Sequence, residues 1–115
     1  MTNSATGLAA EQSAAAALRA DGFTMLGQRL RTAAGEIDLV ASRPGLLVFV
    51  EVKHRPTLAG AAHALTPRQQ ARLQAAAEIL LAEHPDWAQP EIRFDVILTD
   101  ATGQMRRIKD ALRLM

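Results

Sequence analysis

Asp38, Glu51 and Lys53 are the residues of this chain whose types and spacing could do chemistry. They lie in the stretch GEIDLVASRPGLLVFVEVKHR, residues 35–55. Two β-type runs, 36–41 and 46–54, flank Ser42-Arg43-Pro44-Gly45, so the stretch reads as a hairpin. In a register symmetric about Pro44 and Gly45, Asp38 faces Glu51, Glu36 faces Lys53 and Val40 faces Phe49. Strand alternation puts these six side chains on one side of the sheet. Ile37, Leu39, Ala41, Val48, Val50 and Val52 then form an apolar other side. Like charges set directly opposite destabilise a strand pair, with Cβ atoms about 4.5–5.5 Å apart. A divalent cation seated between Asp38 and Glu51 would offset that repulsion.

Hard carboxylate oxygens suit Mg2+ or Mn2+, and Mg2+ keeps most of its waters. Lys53 shares a strand face with Glu51, about 6.6–7 Å along the backbone. There it would orient an attacking water or stabilise charge developing on phosphorus. Neighbouring carboxylates favour its charged form, which makes it an electrostatic group ahead of a general base. The set is what metal-assisted hydrolysis of a phosphodiester needs. The plain alternative is ordinary cross-strand charge on a solvated antiparallel face. A lone Asp with E-x-K a dozen residues later is a weak motif by itself.

The elements that must position these residues read as follows. The 115 residues suit one domain, 1–115, with a modest core. The chain has no cysteine, which excludes disulfides and thiolate metal sites and suits a reducing cytoplasm. No apolar run reaches membrane-spanning length, and the N-terminal alanines lack the flank and core of a secretory signal. A soluble cytoplasmic protein without membrane contact is expected, frayed at residues 1–6 and at the extreme C-terminus. A helix is expected over 7–20, with Glu11, Ala15 and Leu18 on one stripe and a stop at Asp21-Gly22. A strand over 23–30 has a weak point at Gly27, and the hairpin follows. After a small-residue loop, 57–64, Thr66-Pro67 starts a second helix running to about 84. Its buried stripe is Leu73, Ala76, Ala77, Leu80 and Leu81. Residues 85–90 read as loop and 91–99 as strand, with Ile92, Phe94, Val96 and Leu98 opposite Arg93, Asp95 and Ile97. Residues 104–115 read as a short strand or helical tail. The fold class is α/β: a mixed β-sheet of about four strands flanked by helices, in the order αβββαβ.

Net charge is only +1, but its distribution is uneven. From Arg29 to Arg72 the chain carries Arg29, Arg31, Arg43, Lys53, Arg55, Arg68 and Arg72 against Glu36, Asp38 and Glu51. With a cation on the acids, these surroundings are positive and suit a polyanion. Arg31, Arg55, Arg68 and Arg72 are the candidate nucleic-acid contacts, against the plain reading of solvated surface charge. Arg68 and Arg72 share a helix face near its N-terminus. Gln69 and Gln70 stand within reach of a phosphate or water. His54, His63 and His84 do not form a ligand set, and no nucleophile triad or Gly-rich phosphate loop is present.

The segments GEIDLV, LLVFVEVKHR, ALTPRQQARL and IRFDVIL, in this order and spacing, resemble the YraN family. These are small bacterial proteins of the endonuclease-like PD-(D/E)XK superfamily, related in fold to Holliday-junction resolvases. The resemblance spans about residues 7–112 and implies a restriction-endonuclease-like sheet with a metal site on its central hairpin. It implies Asp38 as the superfamily's acidic position and Glu51-Val52-Lys53 as its (D/E)XK. The Val52 backbone carbonyl would join the shell of one or two Mg2+ (or Mn2+) ions. Glu11 matches the acidic residue of the first helix, a catalytic position and a further metal ligand; Glu36 is less clearly a ligand. The implied function is a metal-dependent nuclease acting on DNA ahead of RNA, on branched or repair-related substrates. The alternative is a module that keeps the fold and binds nucleic acid or a partner without catalysis. A homodimer enters by analogy with junction-cutting relatives alone. Three places depart from the family's pattern. Arg29-Leu30-Arg31 stands where asparagine usually precedes an aromatic-x-Arg segment, Gln69 where lysine is common, and the ending from Arg107 is atypical. They touch the periphery of a nucleic-acid surface and leave the acidic core intact.

Overall fold

The computed structural model describes residues 3–58 and 65–111, with side chains from residue 7 onward. Residues 59–64, which include Gly60 and His63 of the expected loop, and 1–2 and 112–115 of the expected frayed ends lie outside them. Helix α1 (Asn3–Ala20) is followed by three antiparallel strands, β1 (Thr24–Thr32), β2 (Gly35–Arg43) and β3 (Leu46–His54). Helix α2 (Pro67–Glu83) and a 3-10 turn (Pro85–Trp87) within the expected 85–90 loop lead to β4 (Glu91–Thr99), which pairs parallel to β3. A fifth strand, β5 (Met105–Ile108), closes the sheet antiparallel to β4, so the spatial order is β1-β2-β3-β4-β5. The sheet thus has five strands where about four were expected. The tail takes the strand form because it covers the otherwise unpaired edge of β4.

Each helix covers one side of the sheet. Ala14, Ala15 and Leu18 of α1 pack with Phe23, Leu39, Ala41, Val48, Val50 and Ile97. Leu73, Ala76, Ala77 and Leu80 of α2 pack with Val40, Leu47 and Phe49, and Phe49 stacks on Phe94 with ring centroids 5.4 Å apart. The hairpin side that carries Glu51 and Lys53 is therefore roofed by α2. It is not the solvated face of a one-sided antiparallel sheet. Thr66 caps α2 with a reciprocal capping box to Gln69, and Gln70 Nε2 donates to Leu65 O. The two glutamines read as within reach of a phosphate or water are thus committed to the helix start.

The symmetric hairpin register holds from Arg43↔Leu46 to Leu39↔Val50 and ends there. Beyond it β2 stays with β1 (Leu30↔Ile37, Arg31↔Glu36, Thr32↔Gly35), while β3 stays with β4 (Glu51↔Val96, Val52↔Ile97, Lys53↔Leu98). The hairpin forks at Asp38. Three expectations fail at the fork. Asp38 and Glu51 are not ladder partners, since the last β2–β3 pair is Leu39↔Val50, although their side chains remain neighbours. Glu36 and Lys53 are not cross-strand partners, because the strands that carry them have parted. Ile37 leaves the side of Leu39 and packs in the α2 core instead. The β1–β2 ladder is irregular at the same level: Gln28↔Leu39 and Leu30↔Ile37 bracket Arg29, whose φ is +51°. The register shift of this ladder lies between Met25 and Gly27, at the expected weak point.

Candidate active site

Asp38 sits at the fork and closes it. The Val52 amide, facing the parted β2, donates to Asp38 Oδ2 at 2.8 Å. That bond fixes the acid of β2 against the Glu51-Val52-Lys53 triplet of β3. The contact the structure gives Val52 here is its N–H, where its carbonyl was expected to matter. Lys53 Nζ lies 3.6 Å from Glu51 Oε1, and both side chains are only 13% exposed. The Glu51 carboxyl is pushed up to about 7, first by burial and next by the charge of Asp38; Lys53 and Arg72 pull it down. The Asp38 and Glu51 carboxyls are close enough to share a hydrogen bond. A Glu51 carboxyl raised this far is partly protonated near neutral pH.

That environment is a test of fit for a cation. Two hard carboxylates pressed together under α2 suit an ion that takes one or two protein carboxylates and keeps its waters. Asp38 and Glu51 are the residues that could hold it. Among the described residues, no group of three or more Asp, Glu, His or Cys side chains is placed to hold an ion. Glu11 faces inward on α1 as its stripe predicts, 8% exposed. Its Oε1, however, accepts Arg29 Nε at 2.8 Å, so Glu11 stands behind an arginine.

The arginines divide into two groups. Gly35, at φ +140°, makes room for one of them: a Cβ there would lie 2.9 Å from Arg72 Cδ. Arg72 thus lies across the start of β2, and its charge reaches Glu51. Arg68 is exposed one turn earlier on α2. Arg31 is 89% exposed and only loosely paired, 3.5 Å from Glu36. Arg55 follows Lys53 and donates to the His54 carbonyl. Arg43 belongs elsewhere: at the far end of the hairpin it pairs with Asp21 and covers Phe23. His54 is bonded to Thr99 Oγ1 at 2.8 Å, and His84 stacks on Trp87; neither joins the acidic pair.

The family model described as "Uncharacterised protein family UPF0102" matches residues 10–99, a span that holds Glu11, the whole fork and α2. The chain belongs to this family. A UPF0102 protein of Granulibacter bethesdensis is 61% identical over 108 residues, covering 94% of this chain and 68% of the relative. One of Azorhizobium caulinodans is 53% identical over 110 residues, covering 96% and 84%. One of Rhodopseudomonas palustris is 55% identical over 106 residues, covering 92% and 82%. Membership bears out the family resemblance read from GEIDLV and LLVFVEVKHR. Among the described residues of this UPF0102 chain, no helix is long and apolar enough to cross a membrane.

Two features of the structure have little trace in the sequence. One is the Arg29–Glu11 pair. The other is Asp95, a fully buried carboxylate expected only as a strand position. It accepts Arg93 Nε at 2.8 Å and Nη2 at 3.0 Å, Arg107 Nε at 3.3 Å and the Asp110 amide at 3.0 Å. Arg107 Nη1 continues to Asp21 at 2.9 Å. The network joins β4, β5 and the end of α1, and its role is structural. An aspartate between IRF and VIL, two residues after an arginine, is the one signal that could have found it.

Proposed function

We propose that this protein is a metal-dependent nuclease in which Asp38 and Glu51 hold the cation and Lys53 serves the attacked phosphate. The observation that supports this reading is the half-buried Asp38–Glu51 pair with Lys53 Nζ 3.6 Å from Glu51. A bound Mg2+ or Mn2+ would supply charge neutralisation at the phosphate and a more acidic water. Asp38, anchored by the Val52 amide, and Glu51 would supply the carboxylate oxygens. Lys53, tethered to Glu51, offers its ammonium to the negative charge that grows on the phosphoryl oxygens. Arg72 extends the positive field toward the substrate, with Arg68, Arg31 and Arg55 as exposed outer contacts to the backbone of a nucleic acid. DNA is the substrate proposed, with branched or repair-related forms ahead of plain duplex.

The test is cleavage of branched, duplex and single-stranded DNA, and of RNA, with Mg2+, Mn2+ or EDTA. Cleavage is expected only with metal, and is expected to fall by about 100-fold or more in Asp38→Ala and Lys53→Ala proteins that still fold. Undiminished cleavage by both variants rejects the assigned residues. One observation favours a second reading, a binding module without turnover: Glu11 is engaged by Arg29 and does not join the pair. That reading expects nucleic-acid or partner binding that survives Asp38→Ala, with no metal-dependent products.

A further inference from the structure

Three observations coincide at Arg29. It is a non-glycine residue at φ +51° inside a nine-residue strand. The ladder to β2 skips it, with pairs on both sides and none to Asp38. Its Nε lies 2.8 Å from Glu11 Oε1, with the Glu11 side chain 10% exposed and that of Arg29 44%. The charges of Glu36 and Asp38 bear on the same guanidinium. A left-handed residue that is neither glycine nor asparagine is held by its surroundings, and such strain gathers at functional sites. The left-handed backbone sets a fixed, non-titrating cation, half exposed, beside Glu11 and within the field of Glu36 and Asp38.

We infer that Arg29 is an internal counter-cation that sets the metal affinity of the Asp38–Glu51 seat, balancing the acids without an ion and keeping Glu11 engaged. The inference rests on the metal reading of that pair. Its electrostatics are direct. A fixed positive charge beside the seat repels a divalent ion, and Glu11 already accepts a charged donor. The chain therefore folds with its acids compensated and binds metal more weakly than the same acids would without Arg29.

The test is Mn2+ binding, followed by calorimetry or by the electron spin resonance of the free ion, with no substrate present. Wild type, Arg29→Gln, the double variant Glu11→Gln/Arg29→Gln and Asp38→Ala are compared. Arg29→Gln is expected to bind Mn2+ about tenfold tighter than wild type. It should also melt lower in EDTA and gain more from Mn2+, because Glu11 is left buried without its partner. The double variant removes both charges of the pair and keeps the test open if the single variant does not fold. It is expected to bind tighter than wild type, by a smaller factor than Arg29→Gln. Equal or weaker Mn2+ binding in the folded Arg29 variants overturns the inference alone. If wild-type Mn2+ binding is absent or survives Asp38→Ala unchanged, the metal seat itself is overturned.

Discussion

Glu51 is where a single residue's environment can be read out in solution. Its carboxyl is raised from an ordinary 4.5 to about 7, by burial first and by Asp38 second. Between those two values the folded chain keeps a proton that the unfolded chain has released. Stability therefore falls as pH rises from about 4.5 to about 7 and is flat above, by on the order of 3 kcal/mol from this group. Urea unfolding in EDTA across that range is expected to show the decline in wild type. Glu51→Gln is expected to lose it and to be the more stable protein above pH 7. A slope that persists in Glu51→Gln assigns the proton to another group. Asp38, Glu51 and Lys53 were legible by type and spacing, because charge is conspicuous on strands otherwise built of Val, Leu, Ile and Phe. Arg29 was not: an arginine in a polar edge strand reads as solvated, and a positive φ leaves no mark at a residue other than glycine or asparagine.

At the scale of elements, the hairpin register followed from Pro44 and Gly45, and the start of α2 from Thr66-Pro67, because both signals are local. The fork at Asp38 was not legible. A symmetric register extends pairing to the strand ends, whereas here β1 draws the start of β2 one way and β4 draws the end of β3 the other. Strand β5 was only half legible, since Met105-Arg106-Arg107-Ile108 is too short and too charged for a period to decide between the short strand and the helical tail. Gly35 couples two elements, β2 and α2. Gly35→Ala puts a Cβ 2.9 Å from Arg72 Cδ on a backbone at φ +140°. It is expected to cost about 1–3 kcal/mol by thermal melting and to displace Arg72. On the proposed nucleic-acid reading, affinity for DNA should then drop as far as in Arg72→Ala, with no further drop in the double variant. Independent, additive losses by fluorescence anisotropy would detach Arg72 from the turn.

At the scale of the whole molecule, the layers and the mixed sheet were legible from the order of elements, while the Asp95 network was not. It gathers partners from residues 93, 107 and 110 and passes through Arg107 to Asp21, separations no local pattern encodes. Asp95→Ala leaves two arginines under the sheet without their anion, and Arg107 Nη2 is already buried without a hydrogen-bond partner. A loss of about 3–5 kcal/mol is expected in urea unfolding; a loss below about 1 kcal/mol would show the network to be dispensable.

The parallel seam between β3 and β4 has a further consequence, for the order in which the chain assembles. Every other strand pair joins neighbours through a short turn, but this seam closes only after residues 55–90 have been looped back. Closing so long a loop is slow, and contacts of high sequence separation dominate the folding barrier. The β1–β2–β3 meander can form early with one side bare, and Glu51 gains its β4 partner Val96 only when the seam zips. In hydrogen exchange, the amides along the central seam should outlast those of the edge strands β1 and β5. The surroundings of Glu51 are thus completed late in folding, and partial opening of the seam would bare its carboxyl to water while the hairpin still stands.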